Sequence, residues 1–139
     1  MFRTEPIMLI ESNSKDAVNI LSILKSQNEK YKCFHYRTTE EALEYLNKED
    51  MQPQLILLGL KNLDSDGIEF LRNIKTDDQL KKISVVIMAS SSDQNHVLES
   101  FNFGVAGYIT KSQDISEFTG TISTIMKYWS ICELPSGKG

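Results

Sequence analysis

Residues 55–67 read Leu-Ile-Leu-Leu-Gly-Leu-Lys-Asn-Leu-Asp-Ser-Asp-Gly. A strand is predicted over Gln54–Leu58, where Leu55, Ile56, Leu57 and Leu58 follow one another without polar alternation. Such a run suits a strand covered on both faces, as strands of a parallel sheet are. Behind it, Asp64-Ser65-Asp66-Gly67 is turn chemistry, and Ile68, Leu71 and Ile74 then recur at helical spacing. A buried strand, a polar exit and a helix therefore form one unit.

The unit repeats on both sides. Upstream, Pro6–Glu11 carries Ile7, Met8, Leu9 and Ile10 and ends in a carboxylate; Ser12-Asn13-Ser14 then suits an N-cap for the stripe Ala17, Ile20, Leu21 and Leu24. Tyr31–Tyr36 is rich in aromatics and reads as a second strand. Thr38 and Glu41 form a capping box ahead of a helix over Ala42, Leu43, Tyr45 and Leu46. Downstream, Ile83–Met88 is the fourth strand and Ala89–Asp93 a polar loop. A helix with Val97, Leu98 and Phe101 follows and stops near Gly104. Ala106–Thr110 is a short fifth strand. The last helix opens around Asp114, with Glu117 three residues on, and carries Ile115, Phe118, Ile122, Ile125, Met126 and Trp129. Five strands alternating with five helices predict the α/β class, a doubly wound parallel five-stranded sheet, because parallel strands need crossovers and these are right-handed. One domain is expected over 1–139, with its core at about 6–129 and a loose tail over 130–139 marked by Pro135, Gly137 and Gly139.

Composition narrows the function. A chain of 139 residues with 40 % apolar residues is long enough for a real core and for little beyond one domain. A net charge of −4 argues against a nucleic-acid partner, which needs a basic footprint to displace counterions. Cys33 and Cys132 lie far apart, so neither a disulfide framework nor a CxxC metal site is implied, and reducing cytoplasm is the expected setting. Arg3 and Glu5 interrupt the N-terminus, and Ile7–Ile10 is too short for a signal segment. No stretch nears the ~20 apolar residues that span a bilayer, so no membrane partner is expected.

In open parallel sheets ligands bind beyond the carboxyl ends of the strands. The residues to question are therefore Glu11-Ser12-Asn13, Gly59-Leu60-Lys61, Ala89-Ser90 and Thr110-Lys111-Ser112. Four blocks at these exits resemble bacterial response-regulator receiver domains. Pro6–Asn13 resembles their "ILLVEDN", Leu55–Gly67 their "LILLDLxLPxxDG", Ile83–Ser91 their "IPVVVLTTS" and Gly104–Ser112 their "GANGYLxKP". The order and spacing match over roughly the whole chain. The run Phe118–Pro135, with Tyr128-Trp129 and Leu134-Pro135, is similar to the ending of stand-alone receivers that partner bacterial phytochromes. The resemblance implies a flavodoxin-like fold and a place in two-component, phosphorelay signal transduction.

It also implies a chemistry that this sequence lacks. Such receivers take a phosphoryl group from a histidine kinase onto an aspartate at the end of the third strand. Two acids after the first strand hold Mg²⁺, and a hydroxyl after the fourth strand and a lysine after the fifth neutralise the growing charge. Carried over position by position, the nucleophile is Gly59, the first acid is Glu11, the second is Ser12, and the switch hydroxyl is Ala89. Lys111 is retained, with Ser112 where a proline is usual, and Tyr108 fills the switch-aromatic position. One carboxylate remains where the family supplies three, so Mg²⁺ binding is expected to be weak or absent. The expectation is a pseudo-receiver: not an enzyme, and acting through a histidine kinase or effector protein of unknown identity.

Other assignments compete with this one. Asp64 or Asp66 could substitute as phosphoacceptor, or Gly59 could stand in for a native acceptor. A flavodoxin-like small-ligand domain would want glycine in the loop after the first strand, and Ser12-Asn13-Ser14-Lys15-Asp16 has none. Glu11 is expected to pair with Lys111, which would otherwise be left partly buried and unpaired. No nucleophile elbow surrounds Ser90, Ser91 or Ser92, and His35 and His96 read as packing or surface residues. Cys33 reads as a buried strand residue and Cys132 as part of the tail. Phe101 and Phe103 are two apart and cannot both face the core. With Tyr128 and Trp129 they mark an expected homodimer surface on the fourth helix, fifth strand and fifth helix, with burial of each at its own core edge as the alternative.

Overall fold

The computed structural model describes residues 6–27, 32–48, 52–61, 63–90 and 93–132. The strands β1 (Ile7–Ile10), β2 (Cys33–Tyr36), β3 (Leu55–Leu60), β4 (Ser84–Ala89) and β5 (Gly107–Thr110) form one sheet in the order β2-β1-β3-β4-β5. Every neighbouring pair is parallel. Between them run α1 (Ser14–Gln27), α2 (Thr39–Lys48), α3 (Ser65–Thr76), α4 (Gln94–Asn102) and α5 (Ile115–Ile131). This is a doubly wound, flavodoxin-like α/β fold. The sequence pattern omitted a short 3-10 turn, Leu80–Lys82, between α3 and β4.

The apolar runs in the strands feed two cores, one on each face of the sheet. Met8, Ile10, Ile56, Leu58, Val85 and Ile87 point to the face that also buries Phe70, Leu71 and Ile74 of α3. Ile7, Leu9, Leu55, Leu57, Val86 and Met88 point to the other, against Ile20 and Leu24 of α1 and Phe118, Ile122 and Met126 of α5. Alternate residues supply opposite cores, so a strand buried on both faces needs the continuous apolar run seen at residues 55–58.

Local chemistry sets the helix ends. Asn13 caps α1 through Oδ1 to the Asp16 N–H (3.0 Å), and Thr38 caps α2 through Oγ1 to the Glu41 N–H (3.2 Å). Asp114 caps α5, accepting from the Ser116 and Glu117 N–H groups. Gly104 follows α4 with φ +85°, the left-handed conformation that glycine adopts without a Cβ penalty. The expected turn over Asp64–Gly67 is instead a cap and a first helical turn: Asp64 Oδ1 accepts from the Gly67 N–H at 2.9 Å and α3 begins at Ser65.

Three further differences bear on the site and its surroundings. β3 runs two residues beyond the expected Leu58, because Gly59 and Leu60 pair with Met88 and Ala89 of β4. The predicted apolar stripe of α4 faces out at Leu98 (63 % exposed) and Phe101 (49 %), and Ser100 is the fully buried residue of that helix. Likewise Ile115, at the start of the α5 stripe, is exposed. α5 continues to Ile131, so Ser130 and Ile131, expected in the tail, are helical. The expectations for Tyr31, Ser91, Ser92 and the tail from 133 onward lie outside the described residues. Among the described residues, no helix is long and apolar enough to cross a membrane.

Candidate functional site

The direction of chain travel reverses between β1 and β3, and in such sheets the crevice at the reversal is the binding position. Ile10 pairs with Leu58, so the next residues along, Glu11 and Gly59, face each other at the carboxyl edge. Adjacent β2 holds the β1 exit from the side. The Glu11 N–H donates to Tyr36 O at 2.9 Å, His35 Nε2 lies 2.9 Å from Glu11 O, and the Arg37 guanidinium donates to Ser12 O at 3.4 Å.

Glu11 is 2 % exposed, and a carboxylate so buried must be paired. Its Oε1 accepts from Lys111 Nζ at 2.6 Å and its Oε2 from the Asn13 N–H at 3.2 Å. The first is a short charge-assisted bond. Lys111 reaches it from the end of β5, where its own N–H donates to Ala89 O at 2.7 Å. Asp16 Oδ2 lies 3.2 Å from the same Nζ, on the more open side. The expected Glu11–Lys111 pair is therefore present, with Asp16 as a third member that the sequence reading did not include.

Gly59 lies directly beneath this carboxylate. A Cβ built there would run into Glu11 Oε1 and stand 2.8 Å from Glu11 Cδ and 3.2 Å from Ile10 O. The Glu11 head group thus fills the volume in which a side chain at position 59 would begin. Around it, Ser12 and Lys61 are exposed and Ala89 is fully buried in β4. Tyr108 is half-buried and packs against the core cluster that contains Ala89. Burial, and secondarily the charge of Asp93, hold the Tyr108 phenol above the usual tyrosine range.

These groups do not fit a resident Mg²⁺. Both Glu11 oxygens are engaged, Gly59 offers no side-chain donor, and position 12 carries a hydroxyl in place of a second carboxylate. Hard divalent cations need several free oxygens in near-octahedral array. Among the described residues, no group of three or more His, Cys, Asp or Glu side chains could hold a metal ion.

The remaining candidates lie elsewhere or act structurally. Asp64 is committed to capping α3, and Asp66 is exposed in its first turn. His35, read as packing or surface, is exposed yet touches the Glu11 main chain; only knowledge that β2 flanks β1 would have flagged it and Arg37. His96 is half-buried on α4. Cys33 is half-buried, and burial pushes its thiol pKa up; Cys132 Sγ donates to Tyr128 O at 3.2 Å. Of the aromatics expected at an interface, Phe101 and Tyr128 are exposed, while Phe103 is half-buried beneath Arg72, whose guanidinium carbon is 5.9 Å from the ring centroid. Trp129 does not belong with them. It is 6 % exposed and its indole N–H donates to buried Gln54 at 2.7 Å, because α5 lays this residue against the start of β3.

Relatives bear on the same architecture. Response regulator Rcp1 of Synechocystis sp. is 28 % identical over 128 residues, 88 % of this chain and 87 % of that protein. The crystal structure of the phosphorylated cyanobacterial phytochrome response regulator RcpA superposes with a TM-score of 0.87 at 32 % identity, covering 96 % of this chain and all of that one. The Mn²⁺-bound form of Rcp1 superposes with a TM-score of 0.85 at 28 % identity over 95 % of this chain and 99 % of that one. The response regulator receiver domain model matches residues 7–123, from the first residue of β1 into α5. A sheet ordered β2-β1-β3-β4-β5, a lysine after β5 reaching back to the β1 exit, and this match over most of the length place the chain in the response regulator receiver domain family.

Proposed function

We propose that this receiver domain accepts no phosphoryl group and signals as a pseudo-receiver, through protein–protein contacts made in one standing conformation. The observation that carries the reading is the seat at Gly59: the position of the nucleophile has no side chain, and the Glu11 carboxylate, tied to Lys111, fills the space beside it. An acyl phosphate needs an attacking carboxylate and room for an in-line phosphoryl group; this site offers neither. Asp64, as a helix cap, and Asp66, exposed beyond the site, are poorly placed to substitute. On this reading the domain is not an enzyme, needs no Mg²⁺ and works in the cytoplasm.

The switch follows the same logic. Ala89 has no hydroxyl for a phosphate to draw in, so Tyr108 keeps one position against the core. A partner must then recognise a surface that does not change. Leu98 and Phe101, one turn apart on α4, and Tyr128 on α5 expose apolar area where a second copy or an effector protein would dock. Because RcpA is a phytochrome response regulator, a phytochrome is the first partner to try.

Incubation with acetyl phosphate and Mg²⁺, followed by intact-mass measurement, tests the reading. An unshifted mass is expected, and a stable gain of one phosphoryl group refutes it. Light scattering of the native protein and Phe101→Glu tests the self-association arm, in which the variant returns a dimer to monomer.

A further inference from the structure

Glycine is disfavoured inside a strand, where it gives up side-chain packing and costs backbone entropy. Gly59 is nevertheless the fifth residue of a six-residue strand, in extended pairing with Met88 of β4, and no turn or positive φ requires it. What distinguishes the position is its neighbour. The space of its absent Cβ is taken by Glu11 Oε1, with Glu11 Cδ 2.8 Å away. The carboxylate in that space is not a loose chain end: it is 2 % exposed and bonded on one oxygen to Lys111 and on the other to the Asn13 N–H.

We infer that Gly59 and Glu11 are an interlocked pair, the bare Cα of Gly59 acting as a built-in seat for the Glu11 carboxylate, which in turn holds Lys111. The domain so carries its own anion in the place where an exchangeable one would act. The consequence reaches across the sheet. Lys111 follows β5 directly, and β3 and β4 lie between β5 and β1, so the side-chain bond fastens the β1 exit to the connection that leads into α5. Any side chain at position 59 must evict Glu11 or strain Ile10 O, which lies 3.2 Å from the Cβ position. A residue that evicts Glu11 also unfastens Lys111. The functional meaning of the seat rests on the site being closed to phosphate; the interlock itself involves no phosphate, so its failure is distinct from a failed phosphorylation result.

A double-mutant cycle read by thermal unfolding tests the interlock. In the native chain Gly59→Ala lowers Tm by several degrees, because the new methyl displaces a buried, paired carboxylate. In a Glu11→Ala background the same Gly59→Ala leaves Tm unchanged or raises it, since alanine suits a strand better than glycine once the seat is empty. An equal loss in both backgrounds overturns the inference. If Glu11→Ala does not fold, a Glu11→Asp background replaces it. There the carboxylate is one methylene shorter but still charged, and the loss from Gly59→Ala shrinks; a loss as large as in the native chain again overturns the inference.

Discussion

Glu11 and Lys111 share one ion pair, but its two ends are not equally exposed to loss. Replacing Lys111 by Met keeps the length of the side chain and removes the charge. The Glu11 carboxylate, 2 % exposed, is then left with the Asn13 N–H at 3.2 Å as its side-chain partner among the described residues. Breaking a buried pair in this way costs about 3–5 kcal/mol, since the remaining charge has lost both water and its counterion. Replacing Glu11 by Gln strands less. Lys111 is 11 % exposed and keeps Asp16 at 3.2 Å, and the amide oxygen of the glutamine can still accept from it. That change should cost about 0.5–1.5 kcal/mol, the scale of an ordinary hydrogen bond, because the contact to Lys111 is weakened and not lost. With a urea m-value of about 2 kcal/mol/M, Lys111→Met lowers the unfolding midpoint by about 1.5–2.5 M and Glu11→Gln by less than about 1 M. Urea titrations followed by circular dichroism, with m unchanged between variants, supply the comparison. A Lys111→Met midpoint no lower than that of Glu11→Gln would refute the claim that Glu11 depends on this one cation.

Four further outcomes follow from the geometry. Tyr108 holds its proton above the ordinary tyrosine range, so the fold loses stability as pH rises from that range toward the raised native value and is unaffected below it; a Tyr108→Phe difference titration at 295 nm with an unraised midpoint contradicts this. Gly104→Ala destabilises by about 1 kcal/mol through φ alone, since no atom lies within 4 Å of the added methyl, and an unchanged Tm speaks against the left-handed cap. Asp64→Ala costs about 0.5–2 kcal/mol by removing the α3 cap, seen as a lower Tm, and full native stability would return Asp64 to the list of spare carboxylates. Gly59→Asp supplies an acceptor yet gains little phosphate from acetyl phosphate, because Ser12 and Ala89 remain; stoichiometric labelling of this single variant by intact mass counts against that.

The fold was legible because its signals were redundant. The apolar run at residues 55–58, the caps at Asn13, Thr38 and Asp114, and the stop at Gly104 each state one local preference, and all agree with the parallel sheet. Periodicity failed on α4 at Leu98, which recurs at helical spacing but faces outward, while Phe101, one of two aromatics that could not both face the core, is the exposed one. Spacing identifies a stripe without saying which neighbour covers it, and on this helix Ser100 takes the buried place. For Trp129 the pattern left interface and core edge both open, and its N–H on Gln54, 75 residues earlier in the chain, puts it at the core edge. The identities at the site, Glu11, Gly59, Ala89 and Lys111, could be assigned from motif positions. The contacts of Asp16, His35 and Arg37 could not, because they depend on β2 lying beside β1 and on where Lys111 ends.

The residues at the site also depend on one another. A glycine at position 59 with no carboxylate beside it would leave the partly buried Lys111 with Asp16, on the more open side, as its acidic partner. Glu11 adds a buried partner because it is long enough to cross to Gly59 and because Gly59 lacks a Cβ. With Glu11 turned inward, the exposed hydroxyl of Ser12 adds no second charge beside the buried pair. At position 89 the alanine methyl packs into the core at 0 % exposure, where a hydroxyl would need a buried hydrogen-bond partner. The residues at positions 12, 59 and 89 are thus each compatible with an inward Glu11, and its bond to Lys111 carries a polar contact across the sheet to the β1 exit. A buried charge stripped of its partner is more damaging than an apolar replacement of both, so Glu11 and Lys111 stand or fall together. At 2.6 Å and nearly free of solvent, that pair fixes the join between the β1 exit and the β5–α5 connection.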